Sequence, residues 1–194
     1  MGQRFLQVGR RRAGREGVRL GSTWLLVLLS ALVVGAFLWR FGPSPKGLIY
    51  ATYALILLTM LVIDYRHRWV YPALCGPGTA LGMALAPVAT GSAGSGVLGA
   101  LAAGGVGLFF YELGRLGYRG QEPLGRGDVL LAAQIGALVG WERVGAALLT
   151  GALLMAAVAA VLLVTRRRRA GDYLPYGAGL CAGALVALLG YDVP

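Results

Sequence analysis

Seven apolar runs, separated by short polar segments, constrain this chain more than any other feature of its sequence. They lie at about residues 23–38, 47–63, 73–90, 95–114, 128–141, 143–164 and 173–190. An apolar helix of roughly 20 residues crosses the hydrocarbon core of a bilayer, and a helix satisfies its own backbone hydrogen bonds there. With 57% apolar and only 13% charged residues, the chain is predicted to be an all-α, polytopic membrane helix bundle of about seven transmembrane helices.

The residues before the first run predict a basic arm rather than a cleaved signal peptide. Six arginines occupy residues 1–21, and such a segment suits the anionic surface of a membrane. A signal peptide begins similarly, but the segment after the first run, Trp39–Pro43, has no small-residue cleavage motif. We therefore expect residues 1–21 to form a cytoplasmic arm and residues 22–194, which show no internal repeat, to form one membrane-embedded domain.

The positions of the charged residues predict the orientation of the bundle. The chain has 18 Lys and Arg residues against 8 Asp and Glu residues. Only Arg40, Lys46 and Arg143 fall outside the arm and the second, fourth and sixth connecting segments. Because cytoplasmic loops are rich in Lys and Arg, this distribution predicts an N-in, C-out topology. It also explains the basic pI. Because no aromatic residues alternate with the basic ones, as they do in proteins whose aromatic side chains stack on nucleic-acid bases, we expect no nucleic-acid partner.

Two acidic residues stand at the inner ends of predicted spans. Asp64 ends the second run, and Asp128 opens the fifth directly after Gly125-Arg126-Gly127. An acid within a span is costly and is by default a functional candidate. Simpler structural roles stay open: Asp128 can cap the helix that it opens, and Asp64 can pair with Arg66 or Arg68. Elsewhere, the spacing of Glu112 and Arg115 predicts an ion pair.

The length of the fifth run indicates how deep Asp128 lies. Asp128 to Trp141 is 14 residues, or about 21 Å of helix, which is short of the roughly 30 Å of hydrocarbon. If Trp141, Glu142 and Arg143 mark the outer interface, Asp128 lies below the inner surface. A glycine-rich turn at that depth requires a water-accessible cavity, because unpaired backbone does not face lipid.

Two carboxylates on one membrane face can support peptide hydrolysis. In a cavity of low dielectric they cannot both ionise cheaply, so they tend to share one proton. The ionised carboxylate then activates a water molecule, and the protonated one donates to the developing oxyanion. Gly125 and Gly127 leave space for an extended peptide beside Asp128. The backbone of this peptide could pair with the exposed backbone of the turn.

Other kinds of site find less support. The single histidine, His67, lies between two arginines and suits a surface position, and no His, Cys or carboxylate set has zinc spacing. Cys75 and Cys181 lie in apolar runs without a CxxC motif, which favours buried hydrophobic positions. We therefore expect no metal and no cofactor. No pattern indicates an oligomeric state.

Three stretches together resemble the type IV prepilin leader peptidases, which are GxGD membrane aspartyl proteases. Residues 63–72, Ile-Asp-Tyr-Arg-His-Arg-Trp-Val-Tyr-Pro, resemble the motif of the first catalytic aspartate. Residues 125–130, with Gly136 and Gly140, are similar to the GxGDxK helix, and residues 174–179, Leu-Pro-Tyr-Gly-Ala-Gly, are similar to the start of the last helix. The resemblance covers residues 47–190 and implies that Asp64 and Asp128 are the catalytic pair.

The resemblance also implies a substrate and a location. The substrate would be a prepilin-like membrane protein with a short basic leader, cut at the cytoplasmic face of a prokaryotic inner membrane. Besides Gly125 and Gly127, Pro175 and Gly177 are the expected substrate contacts, and Glu122 would add to an acidic patch that attracts the leader.

Two departures from the family pattern narrow this expectation. The lysine that often follows the second aspartate by two positions is Leu130 here. The cysteine-rich cytoplasmic insertion associated with N-methylation in large members of the family has no counterpart between residues 1 and 194, which predicts a peptidase without methyltransferase activity. The alternatives are an inactive scaffold or assembly subunit of a pilus system, favoured by Leu130, and a small proton-coupled transporter that uses the two acids as a relay.

Overall fold

The structure is a computed structural model that describes residues 20–67, 70, 72–117, 125–166 and 176–190. All of its regular secondary structure within these ranges is helical, in seven helices. They are α1 (Leu20–Phe41), α2 (Pro45–His67), α3 (Pro72–Thr90), α4 (Ala93–Gly117), α5 (Arg126–Val139), α6 (Trp141–Val164) and α7 (Tyr176–Gly190). The predicted all-α fold is confirmed.

Five of the described helices, α1 to α4 and α6, are long and apolar enough to cross a membrane. The other two, α5 and α7, have 14 and 15 residues, so the fifth run is as short as predicted. Between the third and fourth runs, α3 ends at Thr90 and α4 begins at Ala93. The orientation of the bundle and the boundary between arm and domain stay predictions. The arm, residues 1–21, lies outside the described residues except for its last two, which belong to α1.

The short helix α5 lies at the centre of the bundle. It packs against α3, α4, α6 and α7, and every residue from Gln134 to Val139 is buried. A helix that is apolar around most of its circumference requires partners on all sides, and the four neighbours supply them. By contrast, α1 is peripheral: it packs on α2, and few of its residues are buried. The bundle therefore holds the residues that follow Asp128 in a fixed position.

Close approach between the central helices depends on glycine. A Cβ atom on Gly136 of α5 would overlap the backbone of Gly99 on α4, and one on Gly82 of α3 would lie 2.8 Å from the backbone of Ala137. Membrane helices associate through small residues of this kind, because lipid offers no hydrophobic driving force between them. These contacts fix the distance of α5 from α3 and α4.

A group of hydrogen-bonded side-chain and backbone groups joins the helix ends that lie farthest from Asp64 and Asp128. We call it the Arg143 cluster; its members are Tyr50, Ala89, Ser95, Trp141, Glu142 and Arg143. The Arg143 guanidinium donates to the Tyr50 hydroxyl at 2.7 Å, and this hydroxyl donates to the carbonyl of Ala89 at 2.5 Å. The Ser95 hydroxyl donates to the Glu142 carboxylate at 2.5 Å and accepts from the Trp141 N–H at 3.1 Å. These bonds connect α2, α3, α4 and α6 at one end of the bundle.

The position of Arg143 corrects an expectation from the sequence. The sequence counts Arg143, at the start of the sixth run, with the basic residues of the outer segments, but only Gly140, in a left-handed conformation with φ +81°, separates α5 from α6. Arg143 therefore lies in the first turn of α6, where it is 1% exposed. It cannot be counted as a loop charge, although the distribution of the other basic residues is unchanged.

Candidate active site

Asp64 lies in the last turn of α2, and its carboxylate points toward the first turn of α7. The side chain is 2% exposed, and Oδ2 accepts a hydrogen bond of 2.7 Å from the backbone N–H of Ala178. The first N–H groups of a helix have no partner within that helix, and the helix dipole favours negative charge there. The start of α7 therefore orients the Asp64 carboxylate.

Asp128 lies in the first turn of α5 and is 6% exposed. The N-cap residue is Gly125, and Asp128 is the third residue of the helix. Its Oδ2 accepts from the N–H of Gly125 at 3.1 Å, and its own N–H donates to the carbonyl of Gly125 at 3.0 Å. This is the return half of a capping box. Capping is thus one role of Asp128, and it holds the carboxylate at the start of the central helix.

The fold brings the two acids together at one end of the bundle. Gly177 of α7 contacts both Asp64 and Leu131, which lies one helical turn after Asp128, and among the described residues neither acid forms an ion pair. Gly177 lies between the acids and the core: a Cβ atom there would be 2.9 Å from Asp64 Oδ2 and 2.9 Å from Leu131 Cδ2. Two buried carboxylates that have no cation paired with them among the described residues can share one proton if they lie close together. The alternative role of Asp64, an ion pair with Arg66, is absent from the described contacts, and Arg68 lies outside the described residues.

The predicted substrate contacts differ in how closely other described residues approach them. Gly125 has ordinary contacts, the nearest at 3.5 Å from the position of a Cβ atom, so space remains beside it. At Gly127 a Cβ atom would lie 2.9 Å from Val70 Cβ, so Val70 packs on this glycine. Gly177 contacts Asp64, as described. Glu122 and Pro175 lie outside the described residues.

Two further predictions from the sequence concern pairs of residues. Cys75 and Cys181 are buried free thiols, as predicted. The predicted pair of Glu112 and Arg115 is also confirmed, with 2.8 Å between Oε2 and Nη2. No group of three or more His, Cys, Asp or Glu side chains within the described ranges is arranged to hold a metal ion.

The acids are recessed from the ends of α4 and α6. Gly107 of α4 lies against Val129, the residue after Asp128, and Met155 of α6 lies against Gly179. From these levels α4 continues to Gly117 and α6 to Val164, which adds about 13–15 Å of helix. This agrees with the depth that the short fifth run indicates.

A cleft of about 480 Å³ reaches Asp128 from the side of the bundle. Its walls are α4 and α6, with residues of α5 and α7 also in its lining. Pockets of 300–1,000 Å³ are typical of ligand sites. A cavity beside Asp128, which the depth of the glycine-rich turn requires, is thus present. The sequence did not indicate which residues line it, because they come from four separate helices.

Comparisons with known proteins agree with these motifs. The type IV leader peptidase family model matches residues 51–164. A prepilin leader peptidase/N-methyltransferase of Pseudomonas putida is 30% identical over 171 residues, which is 85% of this chain and 56% of that protein. One of Burkholderia pseudomallei (strain 1026b) is 33% identical over 175 residues, 87% of this chain and 55% of that protein, and one of strain K96243 gives the same values. This chain thus spans about half the length of these curated relatives. No solved structure matches it significantly. The chain belongs to the type IV leader peptidase family.

Proposed function

We propose that this protein is a membrane aspartyl endopeptidase that cleaves the leader peptide of prepilin-like proteins. The observation that supports the proposal is the pair of buried carboxylates, Asp64 and Asp128, which lie at the same end of the bundle. Membership of the family and the names of the relatives supply the substrate class. The site faces the cytoplasm in this proposal, because the distribution of basic residues predicts an N-in topology.

The hydrogen bonds suggest how the two acids act. The backbone N–H of Ala178 holds one oxygen of Asp64, and the N–H of Gly125 holds one oxygen of Asp128. With one proton between them, the ionised carboxylate takes a proton from the attacking water, and the protonated carboxylate donates a hydrogen bond to the carbonyl oxygen of the scissile bond. The proton taken from water then passes to the leaving amine, so the pair returns to its starting state.

The test is cleavage of a co-expressed prepilin-like protein by the wild type, Asp64→Asn and Asp128→Asn. Asparagine keeps the shape of the side chain but cannot transfer the proton, so each variant should lose about 10²–10⁴-fold in rate. Glu112→Gln is the matched control, because it removes a carboxylate from a partly exposed ion pair. Wild-type rates in either Asn variant would contradict the pair, and a wild type that cleaves no substrate of this class would favour the scaffold alternative.

The proposal further states that the cleaved product is not methylated by this chain. The relatives' name includes an N-methyltransferase, but the cysteine-rich insertion associated with that activity has no counterpart in the sequence given. The mass of the product's N-terminal peptide after cleavage by the purified protein with a methyl donor tests this. A methylated product would contradict the statement without affecting the assignment of the two aspartates.

A further inference from the structure

The cleft beside Asp128 has a regular lining. On α6 its residues are 148, 151, 152, 155, 156 and 159, and on α4 they are 103, 106, 107 and 110. Both sets follow the three- and four-residue spacing of one helix face. From Leu148 to Ala159 the α6 wall extends over about 16 Å. The cleft is therefore a groove that runs along the helix axes and passes Asp128.

The chemistry of the groove is that of a membrane interior. Of its described lining residues, only Asp128 and Tyr176 have polar side chains. On the α4 wall, Val106 and Phe110 are 43% and 57% exposed, so the outer edge of the groove continues into an apolar surface. An occupant therefore enters from the lipid phase and brings apolar side chains.

Small residues determine what fits in the groove. Gly107, Gly151, Ala152, Ala156 and Ala159 lie in its walls, and residues of this size let the backbone of another membrane helix approach closely. A whole helix has a diameter of about 10–12 Å with its side chains. A volume of about 480 Å³ instead suits the side chains on one face of a helix whose axis lies outside the groove.

We propose that this groove binds the apolar membrane helix of the substrate and so delivers the scissile bond to Asp128. The proposal rests on the proposed peptidase function. It assigns specificity to the small residues of α6, chiefly Ala152 and Ala156, which limit the size of the substrate side chains opposite them. A continuous apolar surface from the lipid to a single carboxylate fits a substrate that is itself a membrane helix, and it does not fit the basic leader.

Filling the groove tests the proposal. Ala156→Leu adds bulk inside the groove, whereas Ala157→Leu adds the same bulk next to it, at an exposed position outside the lining. For a full-length substrate in lipid vesicles, Ala156→Leu should lower kcat/KM by at least about tenfold, mainly through KM. Ala157→Leu should stay within twofold of the wild type. A short peptide that lacks the apolar helix should be cleaved equally by all three proteins.

Cross-linking tests occupancy without turnover. Cysteine at position 156 or 157, in the Asp128→Asn background, is combined with a single cysteine in the apolar helix of the substrate. Disulfide formation should occur from position 156 and not from 157. Equal cross-linking from both positions, or an unchanged KM in Ala156→Leu, would overturn the proposal and leave lipid as the occupant. Failure of the proposed function is distinct, because the wild type would then cleave neither the full-length substrate nor the peptide.

Discussion

Replacement of Gly177 by alanine tests whether the first turn of α7 holds Asp64 in its working position. The new Cβ atom would lie 2.9 Å from Asp64 Oδ2 and 2.9 Å from Leu131 Cδ2, whereas ordinary contacts begin at 3.4 Å. Leu131 is fully buried and cannot easily turn away in a close-packed interior. The carboxylate must therefore supply much of the missing space, which is roughly 0.5 Å.

The expected loss follows from the hydrogen bond that this shift weakens. The N–H of Ala178 donates to Asp64 at 2.7 Å, and a hydrogen bond to a charged group contributes about 1.5–3 kcal/mol. Because about 1.4 kcal/mol changes a rate tenfold, kcat of Gly177→Ala should fall by about one to two powers of ten. KM should change little, since Asp64 acts on the reacting atoms rather than on the rest of the substrate.

The assay is steady-state cleavage of a prepilin-like substrate by purified protein in vesicles. Gly190→Ala is the matched control, because it makes the same substitution at the other end of α7, where no atom lies within 4 Å of the new Cβ. Thermal unfolding of both variants establishes that they are folded. If folded Gly177→Ala keeps kcat within twofold of Gly190→Ala, the contact between α7 and Asp64 has no part in catalysis.

Three further predictions concern the packing that positions the site. Gly136→Ala should destabilise the protein by about 1–3 kcal/mol, because the Cβ atom overlaps the backbone of α4. Its control, Gly105→Ala, has open space around it and should be neutral or stabilising by up to about 1 kcal/mol. Equal Tm values for the two variants would contradict this prediction. Gln134→Met should stabilise by about 1–3 kcal/mol, because neither polar atom of the buried amide has a described partner, and a lower Tm would show that the amide is satisfied by water. Tyr50→Phe should lower the free energy of unfolding by about 2–3 kcal/mol, because it removes a hydrogen bond to the buried guanidinium of Arg143. Adding Arg143→Met should restore most of this stability. A double variant no more stable than Tyr50→Phe would refute that account.

The helices and the two acids could be predicted from the sequence because both depend on local patterns. Apolar runs fix which segments are helices, and a charge at the edge of such a run is visible without any knowledge of packing. The short fifth run even indicated the depth of Asp128, and the ends of α4 and α6 agree with it. These inferences needed only the period and length of a helix.

The remainder of the site depends on contacts between distant segments. No local pattern indicates that Gly177 lies against Asp64, since 113 positions separate them. The resemblance suggested a substrate contact at Gly177 instead. The burial of Arg143 was not predicted for a related reason: a single glycine joins α5 to α6, so this residue lies in the first turn of α6 and donates to Tyr50. Such pairings are set by helix packing, which hydropathy does not encode.

The Arg143 cluster has a mechanical consequence for the groove. Within the described residues, the polar bonds between α4 and α6 join Ser95 to Trp141 and Glu142, at the end farthest from the aspartates. Toward the other end both helices line the groove beside Asp128. We therefore expect any separation of the two walls on binding of the proposed substrate to be smallest at Ser95 and largest beside Asp128.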